Sequence, residues 1–118
     1  MKRNHRSLKA WQESIVLVEH VYKATLSFPK EEIFGLTSQM RRAAISVPAN
    51  IAEGSARAGT KELLQYLSIA AASLSELDTH VEIAARLGYL TDHTLARELD
   101  DVGGLIMGLI ASIKRRSV

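Results

Sequence analysis

The chain has 118 residues, enough for one buried core and too few for two comfortable ones. It is 47% apolar and 24% charged, with a net charge of +2, as in an ordinary globular protein. The absence of cysteine excludes a disulfide framework, a thiol nucleophile, Cys-ligated zinc and iron–sulfur clusters, and seven Gly and two Pro are few for a β-rich chain that must turn often.

The first segment places Leu8, Trp11, Ile15, Val18 and Tyr22 at alternating spacings of three and four, the mark of a helix with one apolar face. Val16, Leu17 and Val21 widen that face. Phe28-Pro29 stops the segment, because proline disfavours a helical residue before it. The second segment runs Ile33, Leu36, Met40, Ala43 and Val47, with Ile51 nearby, and ends at Gly54. Pro48 falls inside it and predicts a kink, since it removes a backbone donor and crowds the Ala44 carbonyl.

The third segment opens at Thr60, a fair N-cap residue, and its seam is Leu63, Leu67, Ala70, Leu74, Leu77, Val81 and Ala84 before Gly88. Its small residues from Ser68 to Ser75 let a neighbouring helix come close. The fourth starts near Thr91 or Asp92 and runs Leu95, Leu99, Val102, Ile106, Leu109 and Ile113. Gly103, Gly104 and Gly108 weaken it by roughly 1 kcal/mol each relative to alanine, and the spacing of Gly104 and Gly108 predicts close packing there.

The links at about 28–32, 55–59 and 88–92 are short, so consecutive helices should be antiparallel. The expected architecture is all-α: one domain over residues 1–118, an up-down-up-down four-helix bundle with its second helix kinked at Pro48. The wide apolar faces, with Leu105 and Ile110 beside the fourth seam, suggest burial against a second copy. No run approaches the ~20 apolar residues of a membrane span. The opening residues lack a secretion signal's apolar core and cleavage site, so the cytoplasm is the expected compartment.

The charge is unevenly placed. Lys2, Arg3, Arg6 and Lys9 in residues 1–9, and Lys114, Arg115 and Arg116 in residues 114–118, make both tails basic. Residues 10–113 hold eight cations and thirteen acids, a net of −5. Basic tails suit phosphate-bearing partners, or simply solvated ends.

Catalytic chemistry is missing. A di-iron bundle needs an acid three residues before a histidine, whereas His5, His20, His80 and His93 are preceded there by Lys2, Leu17, Leu77 and Leu90. Glu76 and His80 are spaced for an ion pair and suffice for no metal site. Residues Gly54 to Lys61 approach a phosphate-binding loop, but Thr60 and Lys61 are in swapped order and the loop follows a helix instead of a strand. A weaker anion site remains at the start of the third helix, beside Arg57 and Lys61. No serine sits in a nucleophile elbow, and the few aromatics do not interleave with cations as a base-stacking platform would. No cofactor is expected.

Asn50 falls on the second helix's seam, where a polar residue fixes register by pairing; Ser73 and Glu76 are its candidate partners. Glu53 can pair with Arg57, or with Arg41 or Arg42 of another copy. Gln39, Asn50, Glu53, Ser73 and Glu76 are therefore assigned structural or interface roles.

Several runs together resemble one family: Leu8-x-x-Trp11-Gln12, Phe28-Pro29-x-Glu31-Glu32, Gly35 through Ala43, Ser46 through Gly54, Ser73-Leu74-x-Glu76-Leu77, and Leu87 through Leu90. The chain resembles the four-helix-bundle proteins encoded in intervening sequences of bacterial large-subunit ribosomal RNA genes, with Asp78 in place of an expected Glu. The resemblance implies an antiparallel bundle assembled as a homopentameric ring, with no established enzymatic activity. It also implies kinship to the accessory protein of diversity-generating retroelements, which binds nucleic acid and a reverse transcriptase.

The expected function is thus a non-enzymatic homo-oligomer that binds structured RNA or other nucleic acid through phosphate contacts. Arg41, Arg42, Arg57 and Lys61 are the candidate contacts, assisted by Lys2, Arg3, Arg6, Lys114, Arg115 and Arg116. The competing expectation is an oligomeric scaffold for a protein partner, with no direct nucleic-acid role.

Overall fold

The computed structural model describes residues 4–116. Four α-helices make up most of them: α1 (Lys9–Thr25), α2 (Leu36–Ser55), α3 (Thr60–Arg86) and α4 (Thr94–Arg116). Short 3-10 turns occupy Asn4–Ser7 and Lys30–Glu32, and there is no strand among the described residues. α2 packs on α1 and α3, and α4 packs on α3 and α1, so the helices enclose a shared core. No helix among the described residues is long and apolar enough to cross a membrane.

The buried line of α1 differs from the one its apolar spacing predicts. Ala10, Ser14, Leu17, Val21 and Thr25 are buried, while Tyr22 and Val16 are both 39% exposed. Two hydroxyls explain the difference. Ser14 Oγ donates to the Trp11 carbonyl at 2.8 Å, and Thr25 Oγ1 donates to the Val21 carbonyl at 2.8 Å. Each polar side chain is satisfied by its own helix, so burying it costs little. Leu17 and Val21 thus form the core itself and are not surplus width.

The second segment is broken where a single helix is expected. Ile33 is 56% exposed, outside α2, and the helix begins only at Leu36. Glu32 Oε1 accepts the Leu36 N–H at 3.2 Å and holds the first turn. Beyond it Met40, Ala43, Val47 and Ile51 are buried as the spacing predicts. α2 runs through the buried Pro48 without interruption. At its far end Gly54 is buried against α3. A Cβ there would lie 2.8 Å from Tyr66 Cβ and 3.3 Å from the Leu63 carbonyl oxygen. Only glycine admits so close an approach.

α3 buries Leu67, Ala70, Leu74, Leu77, Val81 and Ala84 as predicted, and also His80, which the apolar pattern does not mark. It ends where Gly88 adopts φ +82°. The Tyr89 N–H donates to the Ala84 carbonyl at 2.9 Å and the Gly88 N–H to the Ala85 carbonyl at 3.1 Å, closing a Schellman motif. Tyr89 then packs on Phe28, with ring centroids 5.3 Å apart, and its hydroxyl donates to Glu32 Oε2 at 3.2 Å.

α4 starts at Thr94, slightly later than the Thr91–Asp92 signal, because Asp92 Oδ1 accepts the Thr94 N–H at 3.0 Å from outside the helix. That backbone hydrogen bond, followed by one to the Thr94 side chain, holds the Asp92 carboxyl below its ordinary value. Leu95, Leu99, Val102, Ile106 and Ile113 are buried. The predicted close packing at Gly104 and Gly108 is absent: a Cβ at either would meet nothing within 4 Å, and only Gly103 faces a neighbour, Leu74 at 3.4 Å.

Two glycines should therefore respond oppositely to alanine. Gly54→Ala should lower stability by about 1–3 kcal/mol through overpacking, whereas Gly104→Ala should raise it by up to ~1 kcal/mol through helix propensity. Thermal unfolding of both variants checks this. Asp92→Ala should lower Tm at neutral pH. Because the folded-state value is depressed, the gap from wild type is full above the ordinary aspartate range and closes as pH falls through the lowered value.

Candidate nucleic-acid interface

The candidate cations divide between two regions of the bundle. Arg57 lies in the turn between α2 and α3. Its Nη2 donates to Glu53 Oε1 at 2.6 Å and to the Tyr66 hydroxyl at 3.0 Å, and its guanidinium carbon lies 5.1 Å from the Tyr66 ring centroid. The hydrogen bond to Glu53, then the nearby Tyr66 oxygen and the Glu53 charge, raise the Arg57 pKa further. Lys61 is exposed on the first turn of α3 and lines one groove with Lys114 of α4. Arg116 lines recesses with Thr60 and Leu63, and with Asn4, Leu8 and Ser55.

The start of the described chain, the α2–α3 turn and the end of α4 therefore meet at one end of the molecule. Arg6 belongs there too, its guanidinium carbon 5.4 Å from the Trp11 ring centroid. The His5 ring packs edge-on against Trp11 at 5.1 Å. Arg115 is exposed on the same last turn of α4. Lys2 and Arg3 lie outside the described residues.

Arg41 and Arg42 are not part of this cluster. From Arg41 to Ser55 is fourteen residues of helix, about 21 Å at 1.5 Å per residue. Arg41 is half-buried. Its Nε donates to Thr25 Oγ1 at 2.9 Å and its guanidinium carbon lies 4.5 Å from the Tyr22 ring centroid, so it ties α2 to α1. Arg42 is exposed on α2, as is Gln39.

The polar seam residues also rearrange the expected pairing. Asn50 Nδ2 donates to the Ser46 carbonyl at 2.8 Å and to Ser46 Oγ at 2.9 Å. Ser46 Oγ is 2.8 Å from Ser73 Oγ. Asn50 thus reaches Ser73 through Ser46, a residue the apolar pattern does not single out. Glu76 is not its partner; it lies 3.8 Å from His80 Nε2. His80 Nδ1 is buried without a hydrogen-bond partner among the described residues. Glu53 pairs with Arg57 within the same chain.

One cross-bundle pair has no local sequence signal. His20 Nδ1 on α1 lies 2.6 and 2.7 Å from the two Glu98 oxygens on α4. Only the packing of the first helix on the last brings them together. Among the described residues no group of three His, Asp or Glu is placed to hold a metal.

The model of a protein family described as 23S rRNA-intervening sequence protein matches residues 6–109. Among solved structures, the chain is similar in fold to a protein of unknown function from the S23 ribosomal protein family of Bacteroides thetaiotaomicron VPI-5482, determined at 1.70 Å resolution. The TM-score is 0.79 at 18% identity, over 86% of this chain and 95% of that one. No curated protein matches.

The two arginines with well-defined partners should separate in a stability measurement. Arg41→Ala should cost roughly 1 kcal/mol, because a half-buried guanidinium leaves an aromatic face and a hydroxyl. Arg57→Ala, at an exposed pair, should cost less. Urea unfolding of the two variants compares them.

Proposed function

Because the chain belongs to the 23S rRNA-intervening sequence protein family, we propose that it is a non-enzymatic, self-associating protein that binds structured RNA through phosphate contacts. The observation that carries this reading is the gathering of Arg6, Arg57, Lys61, Lys114 and Arg116 at one end of the bundle, from stretches far apart in the sequence. Such a cluster suits a backbone of repeated negative charge and reads little sequence. Arg41 now has a structural role, and Arg42 stands apart from the cluster.

The reading includes the finer architecture: helices running up-down-up-down, α2 bent at Pro48, and a homo-oligomer in the cytoplasm. Five subunits are what the family resemblance implies. Self-association is supported by Ile45 of α2 and by Ile69 and Ile83 of α3, each between 42% and 44% exposed. A ring would repeat the basic end once per subunit, so weak contacts would add by avidity.

The competing reading is an oligomeric scaffold for a protein. One observation favours it: Arg41 and Arg57 both spend their guanidinium groups on partners within the chain.

The test is binding of a fluorescent structured ribosomal RNA fragment across a salt series, with oligomer mass measured in the same buffers. Wild type should bind with a steep salt dependence at constant mass. Lys61→Glu with Arg116→Glu should weaken binding at least tenfold and flatten the log–log salt slope by roughly 0.7–0.9 per lost contact. Absence of binding at low salt by an intact oligomer would remove the RNA reading.

A further inference from the structure

The groove between α3 and α4 starts at the basic end, with Lys61 and Lys114, and continues along the bundle away from it. On α3, the residues Lys61, Leu64, Ser68, Ala71, Ser75 and Asp78 recur at alternating spacings of three and four, so they form one stripe. On α4, Asp100, Gly104, Met107 and Lys114 stand four, three and seven residues apart, which also keeps them on one stripe. The two stripes flank one groove. Its wider part, about 650 Å³, has Lys61 and Lys114 at its rim and Leu64, Ala71, Met107 and Ile110 along it. Further along the same helices a recess of about 160 Å³ is lined by Asp78 and Asp100. The groove is therefore cationic at one end, apolar and slim in the middle, and anionic at the other.

Its length is set by the helix. Lys61 to Asp78 is seventeen residues, about 26 Å at 1.5 Å per residue. Met107 is 58% exposed, and the position beside it, Gly104, has open space where a side chain would be. Gly104 weakens α4 and gains no contact within the chain in return. A backbone pressed into the groove would use that space.

We propose that this groove docks one amphipathic helix of about five turns from a different protein. That helix carries an apolar stripe, acidic side chains at the end facing Lys61 and Lys114, and basic side chains at the end facing Asp78 and Asp100. Charge complementarity fixes both ends, and a long apolar groove between two helices suits a single helix laid along it. A second copy of the chain is the alternative occupant, and the oligomer mass of the groove variant separates the two.

The probe is a synthetic, fluorescently labelled peptide of eighteen residues with a leucine stripe, glutamates at one end and lysines at the other. A control peptide has the same stripe with glutamine at every charged position. Binding is read by fluorescence anisotropy on the full-length protein at its native oligomeric mass. The charged peptide should bind at least tenfold more tightly than the control. Ala71→Trp, which fills the groove floor, should reduce its affinity at least tenfold with helix content and mass unchanged. Lys61→Gln with Asp78→Asn changes two exposed side chains and should shrink the charged peptide's advantage at least threefold, which keeps the test decisive if Ala71→Trp fails to fold. The proposal is overturned by no binding of the charged peptide, by equal affinity of the two peptides, or by an advantage that the double variant leaves intact. Loss of oligomer mass in a folded Ala71→Trp variant also overturns it, since the occupant is then a second copy.

Discussion

With no side chain at Gly54, the backbone of α2 lies directly against Leu63 and Tyr66 of α3. Much else follows from that contact. It brings the two helices together across a turn of only four residues. It lets the hydroxyls of Ser46 and Ser73 meet farther along the same interface, where Asn50 completes a polar chain. It also places Tyr66 beneath Arg57, so the conformation of the turn's one arginine depends on a glycine three residues before it. Packing density sets the geometry, and the electrostatics of that end inherit it.

The apolar pattern was a good guide where hydrophobicity alone decides burial. α3 carries a clean seam, and its line from Leu67 to Ala84 is buried as read. α4 buries Leu95, Leu99, Val102, Ile106 and Ile113 of its predicted seam, while Leu109 is only half-buried. The pattern misled where a polar side chain can satisfy itself. Ser14 and Thr25 turn their hydroxyls onto their own helix and enter the core, which rotates α1 relative to its apparent face. Periodicity is equally blind to a helix start fixed by a side chain from outside, as Glu32 and Asp92 do for α2 and α4.

Of the candidate site, the chain could reveal composition but not assembly. Arg57, Lys61 and the terminal cations are visible as charges, yet nothing local says that the α2–α3 turn and the last turn of α4 converge. Arg41 and Arg42 look like one motif with Arg57 when read along the sequence. In space a helix of about 21 Å separates them, and one of them is an internal brace. The pairing of His20 with Glu98 is the extreme case, since its partners lie on the first and last helices.

Trp11 is the only tryptophan in the chain, and it stands at the basic end with Arg6 near its face and His5 at its edge. The tryptophan emission of the protein, excited where tyrosine does not absorb, is therefore the emission of that end. The His5 ring at the edge of the indole and the Arg6 guanidinium near its face set the surroundings that this emission reports. Events at the opposite end, around Tyr89 and Phe28, leave that signal unchanged unless they travel through the helices. The molecule thus carries an optical probe already fixed at the place where its positive charge is gathered.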